Sequence, residues 1–409
     1  MTLRRGTCPG LADPLPTGDG LLARLAVTRP IPLDAFTALC AAARTDGNGI
    51  LEITSRGSIQ VRGLTPMSAP AFATVVQALG IVDAAGGRVL ASPLAGLDAH
   101  EIFNVTAVAD RLRDLLVESG LAARLAPKVS IVVDSGGALR LDALPCDIRL
   151  RAERTGGAIG FEVTIANESA NPATLGTIPP EDATKIISDL MDAIAAHGRE
   201  ARAHDLPPAG FTRRPPQGAH KSGRSPAQPI GAHHLRDGSL ALGVGLSFGH
   251  SDADTLQRLI EETRRAGATS ARPASGRVLL LIGVPPAQAS KLAVEAERLG
   301  FITKPDDPRR RVVACAGAPA CAAAEIPTRT LAPAIAAAAH LERQTVHLSG
   351  CSKGCAYHGL ADVTVVGIGG KCGIVPNGRA QDAPIEFVAP EDLPEYLVRR
   401  AVMREMAHG

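Results

Sequence analysis

The amino-acid sequence predicts an α+β protein built by duplication. Two small half-domains pair into one lobe, and two larger α+β domains stand beside it. Three observations carry this. The order strand, helix, strand, strand, helix occurs twice, about 220 residues apart. Glycines that close corresponding elements keep that spacing, Gly63 with Gly283 and Gly80 with Gly300. Beyond each small unit, RVLASPLAGLDAHEI (88–102) aligns with RVVACAGAPACAAAEI (311–326), differing by one residue in length.

Each element has a local reason. GLLARLAV (20–27) reads as a strand, and Leu33, Phe36, Leu39 and Cys40 recur at helical spacing after Pro32. GILEITSRGSIQVRGL (49–64) reads as two strands meeting near Arg56 and Gly57. Phe72, Val75, Val76 and Leu79 mark a second helix, which Gly80 closes as its C-cap. In the second copy, GSLALGVGL (238–246) is the strand, and Asp252 is the expected N-cap of a helix facing inward through Leu256, Leu259 and Ile260. GRVLLLIGV (276–284) is a further strand, and a helix over 292–299 ends at Gly300. PKVSIVVDSGG (127–137) corresponds to the strand entering HLSGC, so the repeat extends through the larger domains. Between the halves, 203–234 is rich in proline and basic residues without periodicity and reads as a linker. The expected domains are therefore 1–85, 86–202, the linker 203–235, 236–304 and 305–409.

Composition narrows the function. Of 409 residues, 45% are hydrophobic, enough for several packed cores. No apolar run reaches the length of a membrane span. The start, MTLRRGTCPG, has no apolar segment behind its arginines, so a cytoplasmic location without membrane contact is expected. A net charge of +2 gives no case for nucleic acid. Ten Phe and Tyr with no Trp leave few rings on which single-stranded bases could stack.

The chemistry concentrates between 311 and 359. Cys315 and Cys321 form a C-x5-C pair in ACAGAPAC, and Cys351 and Cys355 a C-x3-C pair in HLSGCSKGC. Small residues surround them, among them Gly317, Ala318, Ala320, Gly350 and Gly354. Four thiolates in glycine-rich loops suit an iron–sulfur cluster, which the backbone must wrap closely. Zinc is the alternative, though C-x5-C fits its usual C-x2-C to C-x4-C spacing poorly; unrelated buried thiols are another. The first copy has no cysteine at these positions. Cys40 falls on an apolar helix face, and Cys146 and Cys372 have no visible partners.

The paired motifs, about thirty residues apart and with GCSKGC around the second, resemble the sulfite and nitrite reductase family. The resemblance implies a duplicated reductase-like architecture with ferredoxin-like half-domains. It also implies a [4Fe-4S] cluster on Cys315, Cys321, Cys351 and Cys355, the last nearest a second metal centre. Arg56 and Gln60 match an R-x3-Q pattern that in the family lies on the sirohaem and substrate face. Arg24 falls where the family has an active-site arginine. Lys128 falls where the family has a lysine pair, here reduced to one. On this resemblance Arg24, Arg56 and Lys128 are the expected catalytic residues, and Arg56, Gln60 and Arg62 the expected substrate ligands; Arg149 and Arg151 are further cations that could meet carboxylates.

RRGTCPGLADPLPTGDGLLARL and PIGAHHLRDGSLALGVGLSFG are similar to one branch of that family, which acts in aerobic cobalamin biosynthesis. That branch implies precorrin-3A as substrate and molecular oxygen as co-substrate. It also implies a mononuclear non-haem iron beside the cluster, and an external electron donor such as an NADH-linked reductase, ferredoxin or flavodoxin. Cys8, His358 and the histidines near the linker are the candidate ligands of that iron. A sirohaem-dependent nitrite or sulfite reductase is the alternative.

Overall fold

A computed structural model of the chain describes residues 9–82, 88–165, 173–206, 228–338, 344–357 and 359–408. The first half opens with β1 (Leu15–Thr17), β2 (Gly20–Leu25), β3 (Ile31–Pro32) and helix α1 (Leu33–Asp46). It continues with β4 (Ile50–Ile53), β5 (Ile59–Leu64) and α2 (Ser68–Ala78). Its larger unit holds β6 (Val89–Ala91), α3 (Thr106–Glu118), α4 (Leu121–Arg124), β7 (Ile131–Asp134), β8 (Ile148–Thr155), β9 (Ala158–Ile165), β10 (Ala173–Ile178) and α5 (Ala183–Ala196). The second half repeats the plan with β11 (Gly231–His234), β12 (Leu240–Gly245), β13 (His250–Asp252), α6 (Ala253–Arg265), β14 (Ser270–Ala274), β15 (Val278–Val284) and α7 (Pro286–Arg298). Its larger unit holds β16 (Val312–Ala314), α8 (Thr328–Ala337), β17 (Val346–Ser349), β18 (Ala361–Ile368), β19 (Lys371–Gly378), β20 (Glu386–Val388) and α9 (Leu393–His408).

The duplication is visible in the strand orders. The half-domain sheets run β1-β2-β5-β4-β13 and β11-β12-β15-β14-β3. Each half thus lends one short strand to the other: β13 pairs antiparallel with β4, and β3 with β14. The larger units run β10-β9-β8-β7-β6 and β16-β17-β18-β19-β20, each with three parallel strands followed by two antiparallel ones.

One core joins the two half-domains. It includes Phe36 and Leu39 of α1, Phe72 of α2, Leu256 and Leu259 of α6, Leu292 of α7 and the inner residues of both sheets. Phe36 and Phe72 are almost wholly buried, each stabilising by roughly 1.5–3 kcal/mol through transfer from water. Asp252 caps α6, its carboxylate accepting from the Thr255 N–H at 2.8 Å. Gly63 and Gly283 have φ of +73° and +84°, and Gly80 and Gly300 of +63° and +90°. These left-handed positions explain why the repeat keeps glycine at matching places.

Two features differ from the sequence expectation. The tail of the expected linker, Gly231–His234, is strand β11, because a turn at Arg236–Gly238 folds it back to pair with β12. Residues 207–227 of that linker lie outside the described residues. Strand β14, carrying Arg272 and Pro273, shows no apolar run and is held by pairing with β15 and β3.

Candidate active site

The two half-domain sheets turn opposite kinds of surface outward. In the second sheet, Ala241, Val278, Leu280 and Ile282 face out and pack with Leu94 and Leu139 of the first larger unit. Apolar burial closes most of that face, with Arg272 and His233 the buried polar side chains on it. In the first sheet, Ala23, Leu25, Leu51, Ile53, Ile59 and Val61 point into the shared core. Alternation along the strands then puts their neighbours on the other face. Arg24 lies opposite Gln60, Gln60 opposite Glu52, and Glu52 opposite His250. These four residues make a polar row across four strands, and Arg62 lies beside Gln60 on the same face.

This polar face meets the cysteine loops. Arg62 is 3% exposed. Its Nε and Nη2 donate to the two oxygens of Asp19 at 3.0 and 2.7 Å, and Nη2 also donates to the Ala320 carbonyl at 2.5 Å, one residue before Cys321. Arg62 Nη1 lies 3.7 Å from Glu52 Oε1, and Glu52 also pairs with Arg329. Burial pushes the Asp19 carboxyl upward, but hydrogen bonds from Arg62 and Thr17 outweigh it and hold the group below its ordinary value. Gly18, at the same β1–β2 turn, approaches the loop so closely that a Cβ would lie 2.6 Å from the Ala322 nitrogen.

Backbone bonds hold the loops together. The Cys315 N–H donates to Leu348 O at 3.1 Å, and the Gly350 N–H donates to Cys315 Sγ at 3.1 Å. The Glu325 N–H donates to Gly350 O at 2.7 Å, tying one loop to the other. A Cβ on Gly350 would fall 2.5 Å from the Ala324 Cβ, so only glycine lets the loops close. Burial pushes the Cys355 thiol up, and the charges of Cys351, Cys315 and Cys321 push it further. The half-buried Arg277 donates to Ala356 O, next to Cys355, at 3.3 Å.

The donor set fits a four-iron cluster: four thiols from two facing loops, in a cradle that added side chains would fill. Among the described residues, no three His, Cys, Asp or Glu donors are placed to share a single ion. A lone zinc needs such convergence, whereas a four-iron cluster takes one thiolate per iron. A mononuclear iron likewise finds no three-donor set among the described residues. Cys8 and His358 lie outside them.

Sequence comparison places this geometry. A curated precorrin-3B synthase from Sinorhizobium sp is 34% identical over 407 residues, covering 97% of this chain and 88% of that protein. The chain belongs to the precorrin-3B synthase family. A ferredoxin–nitrite reductase from Synechococcus elongatus is 23% identical over 410 residues, covering 87% of this chain and 80% of the relative. Among solved structures, the Mycobacterium tuberculosis NirA protein superposes with a TM-score of 0.71 at 19% identity, covering 93% of this chain and 80% of that one. This likeness shows the reductase fold. No family model matches the chain. Among the described residues, no helix is long and apolar enough to cross a membrane.

In this precorrin-3B synthase family member the residues expected from sequence fall into two groups. Arg24, Gln60 and Arg62 share the polar face. Arg56, in the turn between β4 and β5, reaches instead to the first larger unit, donating to Pro145 O at 2.7 Å and Ser130 Oγ at 3.2 Å. Lys128 is exposed two residues before Ser130. Arg149 binds the carbonyls of Leu141 and Leu144, and Arg151 pairs with Glu162, so both are engaged within their own unit. Glu52, Arg329, Asp19 and His250 were not anticipated. For Glu52 a signal existed: LEI and IQVRGL alternate, as half-buried strands do, whereas VLLLIGV is apolar throughout.

Proposed function

We propose that the chain is an oxygen-dependent monooxygenase of aerobic cobalamin biosynthesis, which hydroxylates C20 of precorrin-3A and forms a γ-lactone from a ring-A acetate. The observation that carries this reading is the 34% identity to a precorrin-3B synthase over 97% of the chain. The polar sheet face beside the cysteine loops supports it. On this reading, Arg24 and Gln60 receive the substrate on that face, and Arg56 and Lys128 receive its carboxylates at the boundary with the first larger unit. Guanidinium forks hold carboxylates at two points, which suits an acid-rich tetrapyrrole.

Cys315, Cys321, Cys351 and Cys355 would hold a [4Fe-4S] cluster, which when bound supplies electrons one at a time. Arg62 serves the site by fixing the C-x5-C loop against the sheet. Its guanidinium is already filled by Asp19 and Ala320, so any contribution to substrate binding passes through that loop. Glu52 lies between Arg62 and Arg329 and keeps two cations apart across the domain boundary. Burial pushes His250 down to about 4, with the Arg329 charge acting the same way, so at neutral pH it presents an uncharged imidazole. A mononuclear iron and an external donor (an NADH-linked reductase, ferredoxin or flavodoxin) complete the reading, together with a cytoplasmic setting and domain limits at 85, 202 and 304, with the second half-domain beginning at strand β11.

A sirohaem-dependent nitrite or sulfite reductase is the second reading, supported by the 23% identity to a nitrite reductase over 87% of the chain. Anaerobic purification followed by iron, sulfide and tetrapyrrole analysis separates them. The proposed oxygenase carries iron and sulfide without chlorin absorption bands. Stoichiometric sirohaem would favour the reductase.

A further inference from the structure

A cavity of about 40 Å³ lies where the half-domain lobe meets the first larger unit. Arg56, Arg113 and Arg272 line it, with apolar walls that include Val89, Leu141 and Leu144. At about 10–15 Å³ per water-sized probe, it has room for roughly three waters or one small ion.

Arg272 sets the problem. It stands on β14, 6% exposed. Its two hydrogen bonds both go to backbone carbonyls, Pro93 O and Thr28 O, each at 2.8 Å. Among the described residues it forms no ion pair. Burial, then the charges of Arg113 and Arg29, push it down to about 10, and Asp110 alone acts the other way. Asp110 is already shared, bonding Arg113 at 2.7 Å and Arg29 at 2.6 Å. Arg272 therefore has no carboxylate of its own among the described residues, and Arg56 and Arg113 line the same cavity wall. A buried charge without compensation is strongly destabilising, and apolar walls strengthen any attraction the cavity offers. Arg272 also stands 220 residues from Glu52, at the matching place in the repeat. The largely apolar outer face of the second sheet keeps a charge at this point.

We propose that this cavity binds one small monovalent inorganic anion, of the chloride or bicarbonate kind, which neutralises Arg272 and joins the lobe to the first larger unit. The site lies apart from the polar face; it shares Arg56 with the proposed substrate boundary, whereas Arg272 belongs to it alone, so the Arg272 variant distinguishes a failure of this site from a failure of that reading. The full chain, exchanged into gluconate buffer without tetrapyrrole, is titrated with bromide, chloride and bicarbonate at constant ionic strength while its thermal midpoint is followed. The wild type is expected to show a saturable one-site rise. Arg272→Met is expected to lose that rise, and Arg56→Gln to weaken the apparent affinity roughly tenfold, as for a lost charge-assisted hydrogen bond. Should Arg272→Met not fold, Arg56→Gln carries the test. Crystals soaked in bromide should show its anomalous signal in the cavity. A flat wild-type response, an unchanged rise in the variants, or bromide found only on exposed surface would overturn the proposal. So would stabilisation by tetrapyrrole carboxylates alone, since the cavity would then belong to the substrate.

Discussion

Ser92 and Cys315 occupy the same place in the two copies of the fold, with a hydroxyl in one and a thiol in the other. The Ser92 N–H donates to Val133 O at 3.1 Å, as the Cys315 N–H does to Leu348 O at 3.1 Å. The next strand then answers: the Ser135 N–H donates to Ser92 Oγ at 2.9 Å, and the Gly350 N–H to Cys315 Sγ at 3.1 Å. One scaffold therefore presents a cluster ligand in the second half and a closed hydrogen-bond network in the first.

Ser92→Ala leaves the Ser135 N–H buried without its acceptor. It is expected to destabilise the protein by about 1–3 kcal/mol, read from urea midpoints. Ser92→Cys keeps an acceptor and should cost less, and its iron content should match the wild type because no other thiol stands at the equivalent positions.

Replacing Cys321 or Cys355 by Ser should lower iron and sulfide per chain sharply while far-ultraviolet circular dichroism stays unchanged. The same change at Cys40, a core residue, should leave both metal measures untouched. Full iron and sulfide in Cys355→Ser would remove it from the ligand set.

Arg62→Met breaks a buried ion pair and releases the Ala320 carbonyl. The expected loss is about 3–5 kcal/mol, since Asp19 is left behind without its partner. In metal-free protein, Cys321 should then react faster with iodoacetamide while Cys351 keeps its rate. Arg62→Lys preserves the charge without the fork and should fall between the two. Equal Cys321 reactivity in all three proteins would mean that Arg62 does not hold the loop.

His250 gives the fold an acid-side dependence. Its ordinary value is 6.5, and in the folded protein burial, joined by the Arg329 charge, pushes it down to about 4. Between these values the unfolded chain binds more protons, so stability falls as pH drops through that window. At about 1.4 kcal/mol per unit the loss is at most about 3.5 kcal/mol. His250→Gln should flatten this part of the stability–pH curve, and an unchanged slope would assign it to other groups.

Much of this architecture is legible in the sequence. Asp252, the paired glycines and the two cysteine motifs are local signals whose physics is complete within a few residues. The exchanged strands β3 and β13 are not of that kind. They are two and three residues long, carry no periodicity, and exist because the other half offers an edge. Arg329 and Glu52 meet across 277 residues of sequence, and no spacing rule joins them. Arg56 was expected beside Gln60 because the motif links them. The turn at Gly57 instead sends its side chain toward the first larger unit, and chain direction at a turn depends on what packs against it. The contrast between the alternating first sheet and the apolar second sheet was available in the sequence, and it distinguishes the polar face from the sealed one.

The central claim is that this chain inserts an oxygen atom into a tetrapyrrole held beside its cysteine loops. The most direct measurement is incubation of the reconstituted protein with precorrin-3A, a reductant and oxygen-18 gas, followed by mass spectrometry of the product. The account predicts a lactone product carrying one oxygen-18 atom, with conversion lost in Cys321→Ser. Unchanged precorrin-3A in the presence of an intact cluster, together with reduction of nitrite or sulfite by the same preparation, would contradict it.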